Sequence, residues 1–259
     1  MQYITTEVRG KVFLIGLNNP EQNNAFPVQM LMELSQAFME YEDNNDLWCA
    51  VLFAHGKHFT VGLEMEGVSE FVLKNNGVKY PPNHVDPFGL VGRKRTKPLV
   101  TAMQGFCFTL GIELALASDI RICSKSTRFT QAEVQRGIAP FGGATFRMVE
   151  QFGWGNAMRY LLTGDIFNAE EALRVGLVQE ITEAKSLLNR AVEIAETITK
   201  NAPLGIKLVL ESAFGYRRAQ EEEAYKKLEP ILVDLMKSED GKEGLQSFKE
   251  NRKANFKGK

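Results

Sequence analysis

Three short runs rich in apolar residues constrain the fold of this 259-residue chain more than any other feature. Cys49-Ala-Val-Leu-Phe-Ala54, Pro98-Leu-Val-Thr-Ala-Met103 and Ile120-Arg-Ile-Cys123 are each of strand length, and the stretches between them carry helical spacing. Strands alternating with helices predict an α/β core with right-handed crossovers. Residues 3–8 and 11–17 add two short strands joined by the turn Arg9-Gly10. Helical periodicity covers 28–43, with Leu31, Leu34, Phe38 and Met39 apolar, and then 63–73. Residues 75–87 hold Gly77, Pro81-Pro82 and Pro87 with little periodicity, so they read as a mobile excursion. From Val149 onward helix dominates, over 155–162, 169–175, 185–199, 202–213, 220–237 and 239–249. The expected division is an α/β core over 1–199 and a helical region over 200–259.

Several function classes fall away. Lys plus Arg total 31 against 32 Asp plus Glu, so the charge offers no basis for nucleic acid or an anionic membrane as partner. No apolar run approaches the roughly 20 residues that a membrane span needs. The opening MQYITTEVRG resembles neither a signal nor a transit peptide. Cys49, Cys107 and Cys123 are odd in number and widely spaced, which predicts reduced packing thiols in a cytoplasmic protein. There is no Walker loop and no Gly-x-Ser-x-Gly elbow. The run Gly153-Trp-Gly155-Asn-Ala-Met158 lacks the third glycine of a dinucleotide fingerprint. His55 and His58 have no third ligand nearby and read as loop surface rather than a metal site. With no Ser or Cys partner for a histidine, carboxylates and backbone amides are what remain.

Two carboxylates are oddly placed. Phe108-Thr-Leu-Gly-Ile-Glu-Leu-Ala-Leu-Ala-Ser-Asp119 suits a fully buried helix, yet Glu113 has Leu110, Ile112, Leu114, Leu116 and Ala117 for neighbours. A buried carboxylate is costly without partners. Glu113 therefore reads either as half of an ion pair with Arg121 or Arg128, or as an acid–base group whose apolar setting raises its pKa. Glu133 falls in a short helical turn over 131–135, ahead of the bend around Pro140, Gly142 and Gly143. Taken alone, it reads as a partly solvated helix acid. Two loops, 57–64 and 106–111, each place free N–H groups at a helix N-terminus. Two such groups converging would form an oxyanion hole.

These residues belong to longer runs that resemble the crotonase superfamily, and enoyl-CoA hydratase within it, nearly end to end. Leu17-Asn-Asn-Pro-Glu-Gln-Asn-Asn-Ala-Phe26 is similar to its early CoA-contacting loop. Gly56-Lys-His-Phe-Thr-Val-Gly-Leu-Glu64 and Gln104-Gly-Phe-Cys-Phe-Thr-Leu-Gly-Ile-Glu-Leu-Ala115 are similar to its two oxyanion segments. Phe129-Thr-Gln-Ala-Glu133 through Gly137-Ile-Ala-Pro140 resembles the segment of its second acid, and Ser238-Glu-Asp-Gly-Lys-Glu-Gly244 to Phe256 its C-terminal helix. The resemblance implies a spiral of ββα units with a C-terminal helical region used in oligomerisation, as a homotrimer or a homohexamer. It implies that the backbone N–H groups of Leu63 and Leu110 hold a thioester oxygen, while Glu113 activates water and Glu133 protonates C2. Gln22, Asn24, Val61, Gly62, Gly111 and Phe141 would contact the acyl-CoA. The implied reaction adds water across the 2,3 double bond of a 2-enoyl-CoA, with CoA part of the substrate and no metal or separate cofactor.

Alternatives in the same superfamily are a 3,2-enoyl-CoA isomerase or a thioester hydrolase using mainly one acid. A non-catalytic acyl-CoA-binding protein is a further one. The chain departs from the family pattern at Thr109-Leu110-Gly111, where a glycine triplet is common, at Leu63, where a small residue is usual, and at Phe141, where glycine is common. The basic tail over 249–259 is a candidate for the CoA 3′-phosphate, or simply a solvated end.

Overall fold

The computed structural model describes residues 1–259. In chain order its elements are β1 (Ile4–Arg9), β2 (Val12–Leu17), α1 (Val28–Asp43), β3 (Cys49–Ala54), α2 (Met65–Asn75), β4 (Leu99–Met103), β5 (Phe106–Phe108) and α3 (Leu110–Leu116). There follow β6 (Ile120–Ser124), β7 (Arg128–Thr130), α4 (Ala144–Phe152), α5 (Trp154–Thr163), β8 (Phe167–Asn168), α6 (Ala169–Arg174), β9 (Glu180–Thr182), α7 (Leu187–Thr199), α8 (Pro203–Lys237) and α9 (Glu239–Lys249). A six-stranded sheet runs β1-β2-β3-β4-β6-β9, and a three-stranded sheet runs β5-β7-β8. Only the β1–β2 and β7–β8 pairs are antiparallel.

The apolar runs are explained by burial on both faces of the large sheet. Val12, Leu14, Cys49, Val51, Val100, Ala102 and Ile122 point to one face, where Leu187, Ala191, Val192 and Ala195 of α7 cover them. The alternate residues Phe13, Ile15, Leu17, Ala50, Leu52, Leu99 and Met103 face the main core, with α1 and α3. Burying each large apolar side chain contributes about 1.5–3 kcal/mol before conformational entropy is charged against it. All three cysteines are buried and free. No helix is long and apolar enough to cross a membrane.

The structure departs from the sequence expectations in four places. The stretches 202–213 and 220–237 are parts of one 35-residue helix, α8. Gly215 in its middle costs only about 1 kcal/mol, and Arg217 and Glu221 pair along the same helix. Helix, expected to dominate only from Val149 with a first segment at 155–162, begins earlier, with α4 at Ala144 after Gly143 at φ 104°. The small sheet went unread because its strands are two or three residues long. The expected mobile excursion is anchored at its far end. Ser35 Oγ donates to Val85 O, Asp86 accepts from the N–H groups of Phe88, Leu90 and Val91, and Val85 and Phe88 are buried.

Candidate active site

The two loops singled out from the sequence meet edge to edge. Past the end of β3 the chain runs alongside β5: Phe59 N–H donates to Gln104 O, Thr60 N–H to Phe106 O, and Phe108 N–H to Thr60 O. Thr60 Oγ then donates to Asn24 O and accepts from Gly62 N–H, which turns the chain toward Leu63. The Glu64 carboxylate caps α2 by accepting from Glu66 and Gly67 N–H. Leu63 N–H and Leu110 N–H are left without an acceptor in the protein, and both residues line one cavity of about 530 Å³. Free amides facing a cavity are what an oxyanion hole requires.

The turn into α3 is strained. Thr109 adopts φ 48°, ψ −111°, a region that a β-branched residue rarely enters and that costs of order 1–3 kcal/mol. Its hydroxyl packs on Gly62 of the facing loop, where an added Cβ would come within 2.3 Å of Oγ1. This turn leads into Leu110, whose N–H has no acceptor, and a glycine would adopt it freely. Thr109→Gly should therefore leave the unfolding midpoint unchanged or raise it, by up to about 4 °C, although glycine ordinarily destabilises. A clear fall in midpoint on thermal unfolding would mean that the turn is not strained.

Glu113 and Glu133 line the same cavity. Glu113, on α3, is buried, and its Oε1 accepts Gly142 N–H at 2.7 Å and Ala144 N–H at 3.1 Å. Burial pushes its carboxyl up to about 7, against the pull of those two amides and of Arg147. Glu133 opens a short 3₁₀ turn, Glu133–Arg136, and is also buried. Its Oε2 has no partner in the protein. Burial first, and then the negative charge of Glu113, hold its carboxyl well above the usual range. The two acids thus titrate as a pair. Two amides favour the charged form of Glu113, whereas burial favours the neutral form of Glu133, whose Oε2 is unused. The cationic partners considered for Glu113 are elsewhere: Arg121 donates to Leu177 O, Ser118 O and Gln151, and Arg128 to Thr127 O. Glu133 is not the partly solvated acid its local sequence suggested.

The remaining expected residues divide. Val61 and Phe141 line the cavity with Leu63 and Leu110. Gly62 in its loop and Gly111 in the first turn of α3 lie behind the wall: Gly62 is at φ 107°, and a Cβ on Gly111 would meet Thr60 Cγ2 at 2.7 Å. Gln22 is exposed outside the cavity. The side chain of Asn24 is not free to meet a ligand. It is fully buried, and its amide donates to His55 O and His58 O and accepts from Asn19 N–H, so it braces the loop. His58 stacks on Phe106 and accepts from Phe106 N–H, and His55 hydrogen-bonds Thr5. In the basic tail, Lys249 pairs with Glu66, and Arg252 with Glu243 and Glu250.

Sequence reasoning missed the groups that set Glu113, namely the amides of Gly142 and Ala144 and the guanidinium of Arg147. Arg147 is itself bound to Glu221 of α8 by two hydrogen bonds, at 2.8 and 2.9 Å. The signal for the amides was the Gly142-Gly143 pair, read only as a bend.

Residues 7–259 match the family model described as enoyl-CoA hydratase/isomerase. The enoyl-CoA hydratase EchA19 of Mycobacterium tuberculosis is 31% identical over 252 residues, covering 96% of this chain and 94% of that protein. Among solved structures, a probable enoyl-CoA hydratase/isomerase from Mycobacterium abscessus superposes with a TM-score of 0.79 at 42% identity, over 99% of each chain. A carnitinyl-CoA hydratase from Mycobacterium avium superposes with a TM-score of 0.89 at 30% identity, over 100% of each.

Proposed function

The chain belongs to the enoyl-CoA hydratase/isomerase family, and from that premise we propose that it is an enoyl-CoA hydratase, adding water to a 2-enoyl-CoA to give the 3-hydroxyacyl-CoA. The observation that carries this reading is the pair of buried acids facing one cavity with two free amides. Water attack at C3 drives negative charge onto the thioester oxygen. Leu63 and Leu110 N–H receive that charge where it develops, and a single donor of this kind is worth about 10²–10³ in rate. Glu113, ionised and held by Gly142 and Ala144 N–H, takes a proton from the attacking water. Glu133, whose neutral form burial favours, delivers a proton to C2.

An isomerase or hydrolase using one acid has no need to elevate both carboxyl groups. The reaction as proposed calls on no metal or redox group, since CoA enters with the substrate. The family likeness also supports a homotrimer or homohexamer, and the three free cysteines fit the cytoplasm.

The test is an assay of enoyl-CoA thioesters of increasing chain length, following loss of the conjugated chromophore and formation of 3-hydroxyacyl-CoA. Absence of product at every length would sink the proposal. The pH dependence is a second expectation. Below about 7 Glu113 is protonated and there is no base. At high pH Glu133 loses its proton and there is no acid. kcat/KM should therefore be bell-shaped, with its rising limb near neutrality and its falling limb above. A profile flat from about pH 5 to about pH 9 would exclude the paired-acid mechanism.

A further inference from the structure

Arg136 is the only basic residue on the cavity wall. Other interior guanidinium groups are compensated: Arg95 by Asp119, Arg147 by Glu221, and Arg121 by carbonyl oxygens. Arg136 has neither an ion pair within 4.0 Å nor a hydrogen bond to the protein. It lies instead against the ring of Phe248, 4.7 Å from its centroid, and Phe248 lines the cavity as well.

Its position is built. In a 3₁₀ turn, residues three apart eclipse one another, so Glu133 and Arg136 leave the turn on the same side. They nevertheless do not pair, and Glu133 Oε2 stays without a partner. The longer side chain carries its charge past the acid to Phe248. The backbone beneath is clasped by α9, which approaches so closely that a Cβ on Gly244 would lie 1.8 Å from Arg136 O. A partly buried guanidinium that pairs with neither Glu133 nor Asp165, although both share its cavity wall, is a vacant fork for a planar oxyanion.

Two parts of an acyl-CoA could supply that oxyanion: a phosphate of CoA, or a carboxylate on the acyl chain. Arg136 shares one helical turn with the acid that reaches C2, whereas the phosphates are a whole pantetheine arm from the thioester. The nearer source is the acyl chain. We propose that this protein takes short 2-enoyl thioesters ending in a carboxylate, with Arg136 binding that carboxylate. This rests on the hydratase reading for the reaction but not for the binding.

Calorimetry with saturated analogues separates the two. Wild type should bind glutaryl-CoA about 10- to 100-fold more tightly than butanoyl-CoA, the usual worth of charge-assisted hydrogen bonds. R136L should level the two ligands, and R136K should keep part of the preference, having the charge without the fork. Equal binding of both ligands by wild type would overturn the proposal, as would a preference that survives in R136L. So would an R136L variant that loses free CoA as severely as glutaryl-CoA, because the guanidinium would then serve a phosphate. None of these readouts needs turnover. Failure of hydration with retained preference would sink the reaction alone, and hydration of crotonyl-CoA without preference would sink the carboxylate subsite alone.

Discussion

Glu133→Gln should lower kcat for hydration of a short 2-enoyl-CoA by about 10²–10⁴-fold, and Glu113→Gln by a similar factor, with much smaller changes in KM. Glutamine suits this comparison because it preserves shape. At position 113 its carbonyl oxygen can still accept Gly142 and Ala144 N–H, yet it cannot take a proton from water. At position 133 it fills the same buried space but has no acidic proton to deliver. In the proposed mechanism the acids act on one water and one double bond, so the double variant should fall well short of the product of the single losses. A one-acid isomerase or hydrolase predicts another pattern, in which Glu133→Gln is severe and Glu113→Gln mild. Near wild-type rates from either variant would end the two-acid mechanism.

The same variants should become more stable at neutral pH, which separates a catalytic loss from a folding defect. The native state raises the Glu113 carboxyl from 4.5 to about 7. Across that window the folded protein holds a proton that the unfolded chain releases. The stabilisation is complete below about 4.5 and is lost as pH rises through about 7. Glu133 contributes in the same direction. A neutral glutamine removes this dependence, so denaturant titrations should show a flatter stability profile for each variant. Retaining two costly carboxyl groups is a stability–activity compromise of the kind expected at an active site.

Glu113 was legible because its neighbours leave it no polar face, and that anomaly survives without any structure. Glu133 was not legible alone. Its own segment, Gln131-Ala-Glu-Val-Gln135, looks like an ordinary surface turn, and its burial comes from elements distant in sequence. The large sheet could be read from its apolar runs because both faces are covered. The small sheet could not, since three-residue strands carry no periodicity. The amides of Leu63 and Leu110 were inferred from their loops, but their lack of acceptors is a property of the folded chain. Arg136 is the sharpest case. In sequence it is one more charge on a short turn, and its isolation shows only when every possible partner is located.

Gly142→Ala should reduce kcat about 100-fold while leaving the fold intact, the usual price of moving a catalytic group by about 1 Å. A methyl group there would lie 2.6 Å from Glu113 Oε2 and 2.8 Å from its carboxyl carbon, with Phe88 at 2.9 Å on the other side. Glu113 borders the open cavity and Phe88 does not, so the carboxylate is the group that yields. Glu113 then loses the 2.7 Å hydrogen bond from Gly142 N–H. That amide helps keep its pKa down, so the rising limb of the pH–rate profile should also move to higher pH. Gly155→Ala is the control: it sits exposed on α5 with nothing within 4 Å of an added Cβ, and should stabilise the helix without touching the rate. If Gly142→Ala keeps both its kcat and its pH limb, Glu113 is not positioned by the 142–144 amides, and its elevated pKa has no part in the chemistry.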